Sequence, residues 1–287
     1  MKESSKWILA TIVGVVGFTV YNIDQNSGNN NQKNQQVVSD HHGYVLKPRE
    51  SVVLSYLIQD EISAFQDGRS TAFLGKNLVP VSAVEASKAY QENQVAADQK
   101  YYQKRLRLTG TIEGINSGLG NEPYVLLRGV NMFESPQVHF QQPNLEKVAS
   151  LKKGEEIKLV CDGSGSLVGT PMFKNCIFLD DYTNQEIAKI KQQIEGFLAG
   201  EPQSDSIGII PIMAITAARM LPETSPCFSD ISYCKSEFNN FFKKDSDNQK
   251  FIPVINELES VGIQIPKAVI DKIESLRSKK VSNNAGK

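Results

Sequence analysis

Four cysteines, Cys161, Cys176, Cys227 and Cys234, are the residues best able to do chemistry in this chain. None stands in a C-x-x-C pair, which argues against a zinc ribbon or a thioredoxin-like redox site. No His or basic cluster lies near any of them in sequence, so none has the surroundings that lower a thiol pKa and make a nucleophile. Two readings remain, disulfides or four buried free thiols. The disulfide reading carries its own pairing. Segments 155–162 and 171–179 read as a hairpin folded about Val168 and Gly169, which sets position 161 opposite 176. Cross-strand neighbours stand about 4.5–5.5 Å apart, within reach of a disulfide. Cys227 and Cys234 enclose a short loop and can clamp the start of a helix.

Other candidates for chemistry are few. His139 lies between Val138 and Phe140 on a strand pattern. A Ser-His-Asp or Cys-His relay in the folded body would have to use it, and its setting reads as that of a half-buried structural His. His41 and His42 beside Asp40 are adjacent, which offers a metal no fixed geometry, so they read as solvated linker residues. The chain has no G-x-x-x-x-G-K-S/T loop, no G-x-S-x-G elbow and no H-E-x-x-H pair. Gly163-Ser-Gly-Ser166 has the composition of a phosphate cradle, but it joins two strands and leads into no helix, so a flexible hairpin loop over 163–169 is expected. These observations predict no catalytic residue, no metal and no cofactor.

Charge narrows the partners. The 287 residues hold 31 Lys and Arg against 32 Asp and Glu, a formal net charge of −1. A tail-driven nucleic-acid binder carries a large basic excess. Hydrophobic residues at 40% and charged residues at 22% are ordinary globular values, which exclude wholesale disorder, and a mean hydropathy of −0.30 excludes a polytopic membrane protein but not a single anchor.

Location is read from the N-terminus. Lys2 and Lys6 precede an apolar run from Trp7 to Tyr21, extending to Ile23. As a helix it spans roughly 22–26 Å, slightly under a bilayer core of about 30 Å. The exit is bulky (Phe18, Val20, Tyr21, Ile23), with no A-x-A cleavage pattern and no lipobox Cys. Residues 1–23 therefore read as an uncleaved signal anchor, with the membrane as partner through 7–23; a cleaved signal peptide and a buried core helix are the alternatives. The flanking lysines place the N-terminus in the cytoplasm and the body outside the inner membrane. Residues 24–43 contain nine Asn or Gln and almost no large apolar side chain, so they read as a disordered tether.

The body must position whatever it binds. Val53, Leu54, Leu57, Ile58, Ile62 and Phe65 recur at helical spacing over 51–66, with Gly68 as a stop. A second helix is expected over 81–100, opened by the capping box of Ser82 and Glu85. From Lys104 the period becomes two. Leu106, Leu108, Gly110 and Ile112 share a face, and Gly110 and Gly114 suggest a bulge in a long curved strand. Further strands are expected over 123–130, 137–141, 155–162 and 171–179, with a short helix over 144–151. This β-β-β-α-β-β order is that of the five-stranded OB barrel. Beyond Thr183 only helical patterns appear: 183–200, capped by Thr183 and Glu186, then 207–221, 231–242, 253–261 and 266–280, with a polar tail over 278–287. The fold class is α+β. An anchor and tether lead to a domain over 44–182, two helices plus a barrel over 103–182, and an all-helical module follows over 183–287.

One stretch is more specific. Val81-Ser-Ala-Val-Glu-Ala-Ser-Lys-Ala-Tyr90, then Glu92, Asn93 and Ala96-Ala97-Asp98, then Tyr101, Tyr102 and Lys104-Arg-Leu-Arg-Leu-Thr-Gly-Thr-Ile112, resembles the tRNA-anticodon-binding-like OB family. Pro123-Tyr-Val-Leu-Leu127, Leu151-Lys-Lys-Gly154 and Asn175-Cys176 also match its pattern. The resemblance covers about residues 80–182. It implies a small, often exported bacterial OB protein, and its name comes from fold similarity. Here the chain departs by carrying about 100 further residues. An OB barrel binds on its second and third strands and the adjoining loops. That makes Tyr124, Arg128, Phe140, Phe173 and Lys174 candidates, with Lys104, Arg105 and Arg107 on the first strand. Residues 100–182 hold ten Lys or Arg and nine Asp or Glu, too even a balance for electrostatic capture of a nucleic-acid strand. The expectation is a non-catalytic binding or assembly protein of the cell envelope, with a protein or small ligand as partner. A single-stranded nucleic acid is the alternative.

Overall fold

In a computed structural model, residues 43–131, 134–141, 145–242 and 251–271 are described. The expected anchor over 7–23, the tether over 24–42 and the tail over 278–287 lie outside them. Among the described residues no helix is long and apolar enough to cross a membrane. The chain forms two compact units. One is Gly75–Glu186. The other joins the chain up to Leu74 with the chain from Ile187.

The first unit is the barrel. Strands β1 (Val79–Ser82), β2 (Arg105–Ser117), β3 (Pro123–Leu127), β4 (Gln137–Phe140), β5 (Glu156–Leu167) and β6 (Thr170–Phe178) form one sheet in the order β1-β2-β3-β4-β6-β5. A further β2–β5 pairing closes five of them into a barrel. The expected strand order holds, with helix α4 (Leu145–Ser150) between β4 and β5. Alternation sets the inside: Leu106, Leu108, Ile112, Val125, Leu127, Val138 and Leu159 are fully buried. The expected irregularity in β2 is present as a register shift between Ile112 and Gly114.

Strand β1 is an addition that the sequence pattern hides under a helix. Val79-Pro-Val-Ser82 runs parallel to β2 as an edge strand, where the N–H that Pro80 lacks is not needed. Ser82 ends that strand and caps helix α2 (Ala83–Glu92). The Glu85 N–H donates to Ser82 Oγ at 3.1 Å, and the Ser82 N–H donates to Glu85 Oε2 at 2.8 Å. The single helix expected over 81–100 is two helices. Asn93 is extended, with φ −162° and ψ 101°, and its side chain accepts the Ala96 N–H to cap α3 (Gln94–Tyr101). Asn offers the backbone a local partner that competes with the helix, and here it wins.

The loop expected over 163–169 is strand instead. β5 continues to Leu167, β6 starts at Thr170, and only Val168 (φ 51°) and Gly169 (φ 83°) turn, as in a tight two-residue hairpin. Of the glycines here, Gly163 serves close approach, while Gly165 (φ 76°) and Gly169 supply left-handed backbone. A Cβ on Gly163 would collide with the Tyr101 carbonyl oxygen. The Gly163 N–H donates to Lys104 O at 3.0 Å, and its carbonyl accepts from Gln103 N at 2.9 Å. Across the hairpin Val160 faces Ile177, and Cys161 and Cys176 form a disulfide with Cα atoms 4.1 Å apart. The next pair is Asp162 with Lys174, so one extra residue is accommodated there, where Asn175 takes φ 49°.

The second unit is helical. Helix α1 (Pro48–Gln66) starts three residues before the expected 51, and the chain leaves it through Gly68 at φ 73°. Helix α5 (Leu179–Leu198) carries the chain out of the barrel unit. It starts at Leu179, not at the expected cap Thr183. Buried Thr183 instead donates its hydroxyl back to Leu179 O at 2.6 Å, while Asp180 and Asp181 occupy the first turn. Helix α6 (Asp205–Met220) is buried on every side from Ile207 to Ala218, as its continuous apolar sequence requires. A disulfide joins Cys227 to Cys234, the first residue of α7 (Cys234–Phe242). α8 is Phe251–Ser260. Helix α1, which the pattern reading groups with the barrel, packs among these helices. Tyr56 stacks on Phe238 of α7 with ring centroids 5.3 Å apart.

Candidate ligand face of the barrel

Strands β3 and β4 send Val125 and Val138 inward, so their alternate residues form an outer face. Register aligns Asn116 of β2 with Tyr124 of β3, and Tyr124 with His139 of β4. On the next strand, exposed Lys174 lies close enough to His139 to act on its charge. The Tyr124 and His139 rings stack with centroids 5.6 Å apart and planes 15° from parallel. The result is a flat aromatic step with a cation at one side and an amide at the other.

His139 is half-buried, as expected, but it belongs to this step. Its Nε2 is buried and has no hydrogen-bond partner among the described residues. Burial and the Lys174 ammonium push its pKa down, while Glu122 pulls the other way. The imidazole is therefore neutral at neutral pH. The period-two pattern carried the signal that places it here, since His139 and Tyr124 both alternate with buried valines.

The other candidates scatter. Phe173 is 1% exposed, in the barrel core, and cannot offer a ring to a ligand. Phe140 packs against that core and stacks on Phe178 at 5.3 Å. Arg105 and Arg107 lie on the half of β2 that pairs with β5, whereas Tyr124 pairs with the other half. Arg105 is already engaged, donating to Asp162 Oδ1 at 2.8 Å and to Asn175 O at 3.3 Å. Burial works against the charge on Asp162, but the Asn175 amide and the Arg105 guanidinium outweigh it and hold the carboxyl below its usual range. Lys104 is exposed just before β2, and Arg128 is exposed just after β3, where its N–H donates to Thr111 O. Of the eight candidates, only Tyr124 and Lys174 meet on the face.

The arrangement suits recognition. All four cysteines are in disulfides, which removes them as nucleophiles. Among the described residues no group of three His, Cys, Asp or Glu side chains could hold a metal ion. A stacked Tyr–His pair offers a π-face at small conformational cost, and Lys174 offers one exposed charge.

A search of curated proteins finds no match to the chain. Among solved structures, one similar to it is that of a candidate nucleic acid-binding lipoprotein from Klebsiella pneumoniae subsp. pneumoniae. It is 19% identical, covers 35% of this chain and 91% of that one, and has a TM-score of 0.30. The model of the tRNA_anti-like family matches residues 1–177, more than half of the chain. That match takes in the barrel strands together with all of the chain before them, and the chain therefore belongs to the tRNA_anti-like family.

Proposed function

We propose that this protein is a membrane-anchored, extracytoplasmic binding or assembly protein that works without catalysis. Residues 1–23 hold it in the inner membrane, and the barrel presents its outer face to an envelope protein or small ligand. The observation that carries this reading is the use of every cysteine in a disulfide, one inside each unit. Such bonds persist in oxidising surroundings and are rare in the cytosol. The even charge of the barrel supports a partner recognised by surface contact. An alkaline-phosphatase fusion after residue 43 tests it. An active fusion is expected, and an inactive one overturns the exported body.

A second reading, single-stranded nucleic acid bound across β3 and β4, is favoured by the stacked Tyr124 and His139 beside Lys174. Base stacking on an aromatic side chain contributes about 1–3 kcal/mol per base. Mobility shift of residues 44–287 on single-stranded oligonucleotides over a salt series tests this reading. Micromolar, salt-dependent binding that weakens about tenfold in Tyr124→Ala would favour it. No shift at low salt would dismiss it.

A further inference from the structure

The β5–β6 hairpin ends in an unusual way. Residues 163–173 include no charged side chain, in a chain with 31 Lys and Arg and 32 Asp and Glu among 287 residues. At the tip, Leu167 is 62% exposed and Val168 is 96% exposed. Val168 also takes φ 51°, a left-handed conformation that disfavours a β-branched residue. An Asn at that position would suit both the turn and water, whereas Val suits neither. Helix α3 lies alongside and adds Val95, 70% exposed, and Tyr102, 47% exposed, at its end. A Cβ on Gly165 would meet Asp98 Oδ1 and the Tyr102 ring, each at 3.6 Å, so both side chains border the hairpin. The backbone of the tip stays paired to the turn, with Ser166 opposite Pro171 and Leu167 opposite Thr170. Beyond Asp162 and before Met172 the ribbon has no third strand among the described residues, so its outer backbone edges suit the polar interfacial layer and not the hydrocarbon core.

We propose that this tip is a membrane contact. Leu167 and Val168 enter the interfacial layer of the bilayer, and Val95 and Tyr102 lie against its surface. Aromatic residues such as Tyr102 favour that depth. The inference rests on the anchoring reading, which supplies the occupant. Nineteen residues, 24–42, separate the apolar run from Gly43, and even fully extended they reach about 65 Å. The folded body then never leaves the neighbourhood of the bilayer, so the nearest apolar medium is lipid.

Tryptophan emission separates the two readings. Trp7 is the only Trp in the chain, so in the parent protein it reports the anchor. In a Trp7→Phe background, Val168→Trp reports the tip. Leu167→Trp does the same should the turn refuse a larger side chain, and Val130→Trp is an exposed control on the barrel. Full-length chains are placed in vesicles of phosphatidylethanolamine and phosphatidylglycerol with brominated acyl chains. The expected result is a blue shift and loss of emission at 168 and 167 but not at 130. Water-like, unquenched emission at 168 and 167 overturns the inference. With Trp7 quenched, that failure leaves the anchor standing. An unquenched Trp7 with a quenched 168 supports the contact and overturns the anchor. Equal quenching at 130, 167 and 168 means unspecific adsorption and overturns the proposal.

Discussion

Arg219 binds three side chains at once. Its Nε donates to Glu50 Oε1 at 3.1 Å, one terminal nitrogen to Glu257 Oε2 at 2.6 Å, and the other to the Tyr44 hydroxyl at 2.7 Å. That hydroxyl in turn donates to Glu50, whose two oxygens lie 3.0 and 2.9 Å away, and the Lys47 N–H donates to the same carboxylate. Burial first, and then Glu50, push the Tyr44 pKa up to about 12, so the phenol stays protonated and keeps donating. Glu50 is only 2% exposed. Removing Arg219 leaves a buried carboxylate without its charge partner. Arg219→Ala should destabilise the helical unit by about 3 kcal/mol, read as a lower urea midpoint followed by circular dichroism. Arg219→Lys, a point charge in place of a planar fork, should fall between that variant and the parent. An unchanged midpoint in Arg219→Ala would show the network to be dispensable. Its members were not legible in sequence. Arg219 reads there as a charge near the end of an apolar helix, and Glu50 and Tyr44 lie 169 and 175 residues away. The Cys161–Cys176 pair was legible, because strand period and turn position fix the register of a local hairpin.

Glycines show how neighbouring elements decide what a local pattern means. Gly163 sits where β5 crosses the chain after α3, and a Cβ there would collide with backbone, which cannot rotate away. A Cβ on Gly110 would meet Ala83 Cβ and Leu127 Cδ1, each at 2.9 Å, because α2 and β3 close on β2 at that point. A Cβ on Gly114 would meet ordinary contacts at 3.5 Å. Gly163→Ala should therefore lower the thermal midpoint of the chain strongly and Gly110→Ala moderately, while Gly114→Ala, changing stability by no more than about 0.5 kcal/mol, leaves the midpoint near the parent's. Differential scanning fluorimetry orders the three, and equal midpoints would refute the close approach at Gly163. Composition alone cannot rank them. Gly163-Ser-Gly-Ser166 reads as a flexible loop because Gly and Ser populate loops, whereas tertiary contact makes it a paired strand. Likewise the long helix expected over 81–100 breaks because Val79 to Ser82 finds β2 as a partner and Asn93 caps a new helix.

At the scale of the whole chain, two units are built by different rules. The barrel unit is contiguous, Gly75–Glu186, and five of its six strands and their order were legible from alternation and turn residues, with β1 hidden under the helix pattern. The helical unit is discontinuous, joining the chain up to Leu74 with the chain from Ile187. Periodicity reports which face of a helix is apolar but not which distant helix will cover it. Helix α1 therefore reads as a neighbour of the barrel that follows it, yet it buries Val53, Tyr56 and Leu57 in the helical unit. By itself the sequence determined the five barrel strands, the register that sets Cys161 opposite Cys176, and the family, because each rests on short-range spacing or local register. Only the tertiary structure decided that Phe173 lies inside while Tyr124 and His139 stack outside, that Gly163 is a crossing point, and that Arg219 meets Glu50. Those outcomes depend on barrel closure and helix packing, which bring together residues that the chain keeps far apart.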